Sequence, residues 1–287
     1  MSDKEYIKVE HVTKYFIHPN DKLHILNDVT FSIDKGEIVC IVGASGCGKS
    51  TLLRLISGLD PEHEGSIEID GRNPYDREPS FLTDIYYLSD EPSPMNCTAS
   101  SFAKNYGKFW TNFSFSDFSL IMSLFEMDEF QKMNQMSLGQ LKKTYLAFAL
   151  ATHSKVILMD EPTNGLDIPS KALFRKAIMK YTSEDSIVII STHQVRDLEN
   201  IIDPIIVLDH NDVLMNASIA QITSKLFFDY GNEPVEGALY REMIPGGSIQ
   251  VYPNTTGADS KVNIEALFNA TQTHKALIKN MFINSEE

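Results

Sequence analysis

Nine residues, Gly43-Ala44-Ser45-Gly46-Cys47-Gly48-Lys49-Ser50-Thr51, lie between a short apolar run and a helix-forming segment. From residue 43 to residue 50 they fit the pattern G-x-x-x-x-G-K-[ST]. Glycine is needed there because successive backbone N–H groups must turn inward to form a nest for an anion, and a Cβ would clash in so tight a bend. Residues 38–42 form the apolar run and read as a buried strand; residues 52–56 read as a helix, with Gly58 as its stop. Strand, glycine loop and helix in that order make a phosphate cradle, since the helix adds its positive N-terminal end. Lys49 then carries a full charge to the outer phosphates, and the Ser50 hydroxyl is placed to ligate Mg²⁺.

A cradle of this kind needs acids on a neighbouring strand. Residues 156–159 are apolar and end in Asp160-Glu161. The carboxyl end of a buried strand would deliver Asp160 toward Mg²⁺, and Glu161 could polarise a water for attack on the terminal phosphate. An acid after a strand is otherwise a solvated loop residue or a helix cap; the matched loop upstream favours the site. Residues 186–190 read as a further buried strand that runs into Ser191-Thr192-His193. Ligands of open α/β sheets sit at such strand ends, which favours a phosphate contact for His193.

The chain has 287 residues, 43% of them hydrophobic and 22% charged, enough for a globular core of one large or two modest domains. Its formal net charge of −14 argues against a duplex DNA partner, which would need a basic face. No apolar run approaches the ~18 residues of a spanning helix, and the segment Met1-Ser2-Asp3-Lys4-Glu5 does not read as a signal peptide. The expectation is therefore a cytoplasmic protein unless a partner carries it to a membrane. Its three cysteines, Cys40, Cys47 and Cys97, lack metal-ligand spacing and fit a reducing compartment. Cys47 reads as a small filler of the phosphate loop rather than a redox switch.

Elsewhere, residues 6–12 and 23–33 read as strands, with Tyr15 and Phe16 at the end of the first. An aromatic there could stack on a base or simply pack in the core. Residues 66–71 and 84–88 read as strands, and a polar loop with Asp90 and Glu91 comes after them. From about residue 92 to residue 140 the texture becomes helical and rich in Phe, Met and Ser; Phe118, Ile121, Met122 and Phe125 share one helical face. Residues 141–150, 169–181 and 217–230 read as helices. Past residue 230, Gly and Pro punctuate the chain, residues 248–252 read as a strand, and a closing helix completes it. The expected architecture is α/β: a phosphate-loop core with a mostly parallel sheet, an antiparallel β subdomain and an inserted helical subdomain at about 92–140. The main domain would span 1–230. Residues 231–287 would form a small C-terminal appendage, read as a cap on the main core in preference to a regulatory or dimerising module.

Over roughly residues 5–225 the chain resembles the ATPase subunit of an ATP-binding cassette (ABC) transporter. Besides the phosphate loop, Phe16 and then Tyr15 match the aromatic that stacks on adenine. Residues 136–140 look like the signature motif LSGGQ. Asp160 and Glu161 match the Mg²⁺-associated acid and the catalytic glutamate. Residues 164–167 match the loop through which subunits communicate, and His193 matches the switch histidine. The resemblance implies a head-to-tail pair of subunits binding ATP and Mg²⁺, with Lys49, Glu161 and His193 acting in catalysis. Ser137, Gly139 and Gln140 of one subunit would complete the nucleotide site of the other. It also implies an integral membrane permease as partner, no nucleic acid, and a place on the inner face of the membrane. The absence of a long C-terminal β-domain leans to export.

Two positions depart from that pattern. Asp90 stands where the family usually has a glutamine, and would be a carboxylate ligand of Mg²⁺ or an orienter of water. Leu138 replaces the first glycine of the signature, and its Cβ would impede close approach to nucleotide. Hydrolysis is expected, with Leu138 a brake on it. The competing class is a soluble ABC-type ATPase switch. Those often carry two cassettes or a long coiled-coil insertion, and this sequence shows neither.

Overall fold

The structure is a computed structural model and describes residues 5–18, 21–62, 64–194, 198–209 and 211–283. The chain opens with two long strands, β1 (Ile7–His18) and β2 (Asp21–Ile33), followed by β3 (Ile38–Val42) and α1 (Lys49–Ile56). Next come β4 (Glu64–Ile69), the single turn α2 (Pro79–Leu82) and β5 (Ile85–Leu88). The helical region holds α3 (Ala99–Tyr106), α4 (Phe115–Leu124) and α5 (Leu138–Ala151). The chain then re-enters the sheet with β6 (Val156–Asp160), α6 (Ile168–Tyr181), β7 (Ile187–Thr192), β8 (Ile205–Asp209) and β9 (Asp212–Ala217). It closes with α7 (Ile219–Lys225), β10 (Leu226–Gly231), β11 (Tyr240–Ile244), β12 (Gly247–Pro253), α8 (Ile264–Thr273) and α9 (Lys275–Phe282).

The central sheet has six strands in the order β5-β6-β7-β3-β8-β9, all parallel except the last pair. Every residue of β6, β7 and β8 is buried, which is why these strands read as unbroken apolar runs. Apolar residues pack on both faces. One face meets the helical region, the other meets α1 and the antiparallel sheet β2-β1-β4. Across β6, β7 and β3 the register pairs Asp160 with Ser191 and Thr192 with Val42, so the chain leaves three neighbouring strands at one level.

β1 extends well past residue 12, carrying Tyr15 and Phe16 inside a hairpin with β2 rather than after a strand end. Register shifts between Val9 and Tyr15, with His11 at φ 53, break the two-residue alternation that sequence periodicity relies on. The aromatic helical face behaves as its spacing predicts: Phe118, Ile121, Met122 and Phe125 are each at most 1% exposed. Phe148 of α5 is the hub of that region, with ring centroids of Phe102, Phe113, Tyr86 and Trp110 at 4.7–5.6 Å.

The expected helix over 217–230 is only half present. α7 stops at Lys225, and Leu226 and Phe228 alternate inward as β10, paired with β12. Two-residue alternation anchored by cross-strand partners wins over the helical reading. The third sheet, β10-β12-β11, therefore starts before residue 231. Its apolar side and α8 join the core on the helical-region face. Lys275 and Lys279 of α9 pair with Asp209 and Asp212 at the ends of β8 and β9.

Candidate active site

Gly46 and Gly48 adopt left-handed φ values of 80° and 105°, so the bend between β3 and α1 depends on them. Close approach adds a second demand at Gly48, where a Cβ would lie 2.8 Å from the Ile25 carbonyl oxygen and from Leu26 of β2. The hairpin that bears Phe16 is thus packed directly against the phosphate loop. Phe16 is 53% exposed, whereas Tyr15 is half-buried, its ring 5.5 Å from His24 and capped by Lys22 at 4.3 Å. Of the two, Phe16 has the open face a base would need.

α1 begins at Lys49, whose Nζ donates to the carbonyls of Gly43 at 2.7 Å and Ala44 at 3.0 Å. Ala44, Ser45, Gly46 and Ser50 line the open side of the loop, and Thr51 is half-buried. Cys47 is buried with its Sγ beneath Gly43, and burial pushes its thiol pKa up, as a filler requires.

At the end of β6, Asp160 is 3% exposed and accepts a hydrogen bond from the Ser191 hydroxyl of β7. Glu161 departs from the strand at φ 45, a left-handed conformation that a glutamate adopts only when its surroundings hold it. The turn aims its carboxylate back over the strand ends. There Glu161 Oε1 lies 2.8 Å from His193 Nδ1 and 4.0 Å from Lys49 Nζ. The His193 backbone N–H also donates to Glu161 Oε2 at 3.4 Å. Glycine loop, acid pair and histidine, far apart in sequence, meet at the carboxyl ends of three interior strands.

Asp90 accepts an ion-paired hydrogen bond from Lys142 Nζ at 2.7 Å. An ammonium on that carboxylate opposes a divalent cation there. Lys142 is a site residue that sequence reasoning missed. It is 2% exposed in the middle of α5, and its Nζ also donates to the Glu161 carbonyl at 2.9 Å. The available signal was its helical spacing with Tyr145 and Ala149, which puts it on the inward face. Tyr87, also missed, lies beside this cluster. Burial pushes its phenol up to about 12, and the nearby Asp160 carboxylate adds to the shift.

Ser137, Gly139 and Gln140 lie apart from this cluster: among the described residues, no hydrogen bond or ion pair joins them to residues 43–51. They start α5. Ser137 Oγ accepts from the Gln140 N–H at 3.3 Å, and Gln140 Oε1 accepts from the Ser137 N–H at 2.9 Å, a reciprocal capping box. Ser137 is exposed, Leu138 is 54% exposed, and a Cβ on Gly139 would lie 3.0 Å from the Gly165 carbonyl. This stretch thus presents a capped helix N-terminus to the outside, with Gly165 of its own chain close beside it.

A glycine cradle on one strand, an acid pair on a second and a histidine on the third define a phosphate-loop ATPase. Likeness to known proteins narrows the class. The model of the ABC transporter family matches residues 26–164. An uncharacterized ABC transporter ATP-binding protein of Methanocaldococcus jannaschii is 28% identical over 84% of this chain and 88% of its own length. An aliphatic sulfonates import ATP-binding protein of Bacillus cereus is 28% identical over 75% of this chain and 83% of its own. Among solved structures, a dimeric post-hydrolysis ATP-binding cassette bound to ADP and Pi superimposes with a TM-score of 0.66 at 27% identity, covering 74% of this chain and 98% of that one. Together these likenesses support an ABC ATPase nucleotide-binding domain, one that binds and hydrolyses ATP.

Proposed function

We propose that this chain is the ATP-hydrolysing subunit of a transporter, working as a pair and driving a separate membrane permease. The observation that carries the hydrolytic part is the Glu161 carboxylate, held 2.8 Å from His193 Nδ1 above the phosphate loop. On this reading the phosphate loop and Lys49 hold the β- and γ-phosphates, and Phe16, with Tyr15 behind it, flanks the adenine. Glu161 takes a proton from water as the water oxygen bonds to the γ-phosphorus. The bond from that phosphorus to the bridging oxygen breaks, and the electron pair leaves with ADP. His193 fixes the Glu161 carboxylate and faces the departing phosphate.

Ser50 and Asp160 are the residues that would hold Mg²⁺. An exposed hydroxyl and one carboxylate are hard oxygen donors and leave the remaining positions to phosphate and water, which suits this ion. Bound there, Mg²⁺ would neutralise charge developing on the phosphates.

Ser137 is exposed at a helix N-terminus, the kind of group that binds an anion, and among the described residues no hydrogen bond or ion pair joins Ser137, Gly139 or Gln140 to residues 43–51. That supports a second subunit whose nucleotide they would complete. For the permease, an apolar groove lies beside the site, lined by Leu59, Leu82, Tyr87, Phe109 and Trp110 with Arg77 and Lys108 at its rim. Phe109 is 60% exposed, and a groove of this kind accepts an amphipathic segment. Among the described residues, no helix is long and apolar enough to cross a membrane, so the spanning part falls to the partner. The complex would lie on the inner face of the membrane, where ATP is available.

An import subunit matches at similar identity, so the cassette itself carries no direction. Recovery of the tagged chain from detergent-solubilised membranes tests the assignment. A stoichiometric multi-span protein that stimulates ATP turnover is the expected result. A chain found wholly in the soluble fraction, turning over ATP alone, would favour a switch uncoupled from transport.

A further inference from the structure

Lys142 is buried to 2% exposure in α5. Its ammonium donates to two oxygens from separate segments: Asp90 Oδ1 at 2.7 Å, in the loop after β5, and the Glu161 backbone carbonyl at 2.9 Å, just past β6. A buried ammonium with fewer partners would be strongly unfavourable, so both oxygens are held where they are.

The Glu161 carbonyl is the informative partner. Glu161 sits at φ 45, and a non-glycine residue stays in that conformation only if neighbouring bonds fix its peptide groups. Its N–H is fixed by the Ser191 carbonyl at 3.0 Å, and its C=O by Lys142 at 2.9 Å together with the Asn164 N–H at 3.2 Å. The peptide is thus gripped from both sides, and the grip sets the direction of the carboxylate toward His193. The Asp90 end of the bridge is anchored as well, because the Tyr145 hydroxyl of α5 donates to the Ser93 carbonyl of the same loop at 2.7 Å.

We infer that Lys142 is a positioning residue for hydrolysis: it locks the strained Glu161 peptide in its productive orientation and makes that orientation depend on the Asp90 loop. The inference rests on Glu161 as the base that activates water. Among the described residues, Lys142 makes no hydrogen bond or ion pair with the phosphate loop or His193, so its loss should spare nucleotide binding and lower turnover. Small misplacements of a base cost about tenfold to a hundredfold in rate.

The test is a double-mutant cycle of Lys142→Met, Asp90→Asn and the pair, with Glu161→Gln measured in parallel. Each variant is read for kcat, for affinity toward a non-hydrolysable ATP analogue, and for thermal midpoint. Lys142→Met should lower kcat by about tenfold or more, with nucleotide affinity within about twofold of the parent. Asp90→Asn removes the counter-charge of Lys142 but keeps an amide oxygen for its ammonium to donate to; it should lower kcat by a smaller factor. The pair should be no slower than Lys142→Met alone, because both changes break one link. A purely structural role would instead lower affinity and thermal midpoint along with kcat. That pattern overturns the inference, as do multiplicative effects in the pair. If Glu161→Gln is inactive and both Asp90→Asn and Lys142→Met keep the parent kcat, the inference falls while the function stands. If Glu161→Gln keeps turning over, the base assignment falls and takes this inference with it.

Discussion

Glu161 Oε1 and His193 Nδ1 lie 2.8 Å apart although 32 residues separate them in the chain. The contact exists because β6 and β7 are adjacent and in register, and because Glu161 turns left-handed as soon as β6 ends. If Glu161 is the base, Glu161→Gln keeps the size and hydrogen bonding of the side chain but cannot take a proton. Steady-state phosphate release should fall by about 10²–10⁴-fold, with nucleotide binding retained. Turnover within a few-fold of the parent would show that water is activated elsewhere.

Lys49 holds the phosphate loop together through two carbonyls, at 2.7 and 3.0 Å, and is 7% exposed. Nucleotide phosphates would compete for the same ammonium. Lys49→Ala removes a charge-assisted partner and should weaken ATP binding by about tenfold to a hundredfold, measured by titration with a fluorescent analogue. An unchanged affinity would remove Lys49 from the site.

Ser137 has two separable duties. As an N-cap it stabilises α5, and Ser137→Ala should lower stability by about 1 kcal/mol in denaturant unfolding. Ser137→Asp keeps the cap, so stability should stay near the parent. The added carboxylate would repel a γ-phosphate presented by a second subunit, so ATP-driven pairing should be lost in Ser137→Asp. Pairing that survives this charge would place the signature away from nucleotide.

Cys47 is held protonated by burial, its thiol pKa lying above the usual cysteine range. Since the thiolate is the reactive form, alkylation at about pH 7.5 should be slow at Cys47 and should accelerate only as pH climbs beyond that range. Cys97, which is half-buried, should label first. Peptide mapping after brief alkylation measures the order. Cys47 reacting as fast as Cys97 near neutral pH would contradict the filler role.

The parts of the molecule that sequence reveals are those whose meaning is local. Gly43 to Thr51 needs only its flanking strand and helix, and Asp160 comes after an apolar run that has no other use. Phe118, Ile121 and Met122 declare their face by helical spacing alone. What stays hidden depends on partners distant in the chain. Lys142 looks like any helical lysine until α5 is laid against Asp90 and Glu161. Asp90 reads as a free acid for the same reason. The bulges of β1 erase the alternation around His11, and Leu226 leaves its helix only because β12 offers a pairing edge. The left-handed turn at Glu161 carries no residue-type signature, since glutamate does not favour it.

The central claim is that ATP bound by one copy is closed by the exposed Ser137 turn of another. Sedimentation of the Glu161→Gln variant, whose subunit is 32.3 kDa, tests it most directly. With saturating ATP and Mg²⁺ the species should carry twice that mass, and should return to the single mass when nucleotide is removed or when Ser137→Asp is added. A single mass in saturating ATP, in a variant shown to bind nucleotide, would contradict the account.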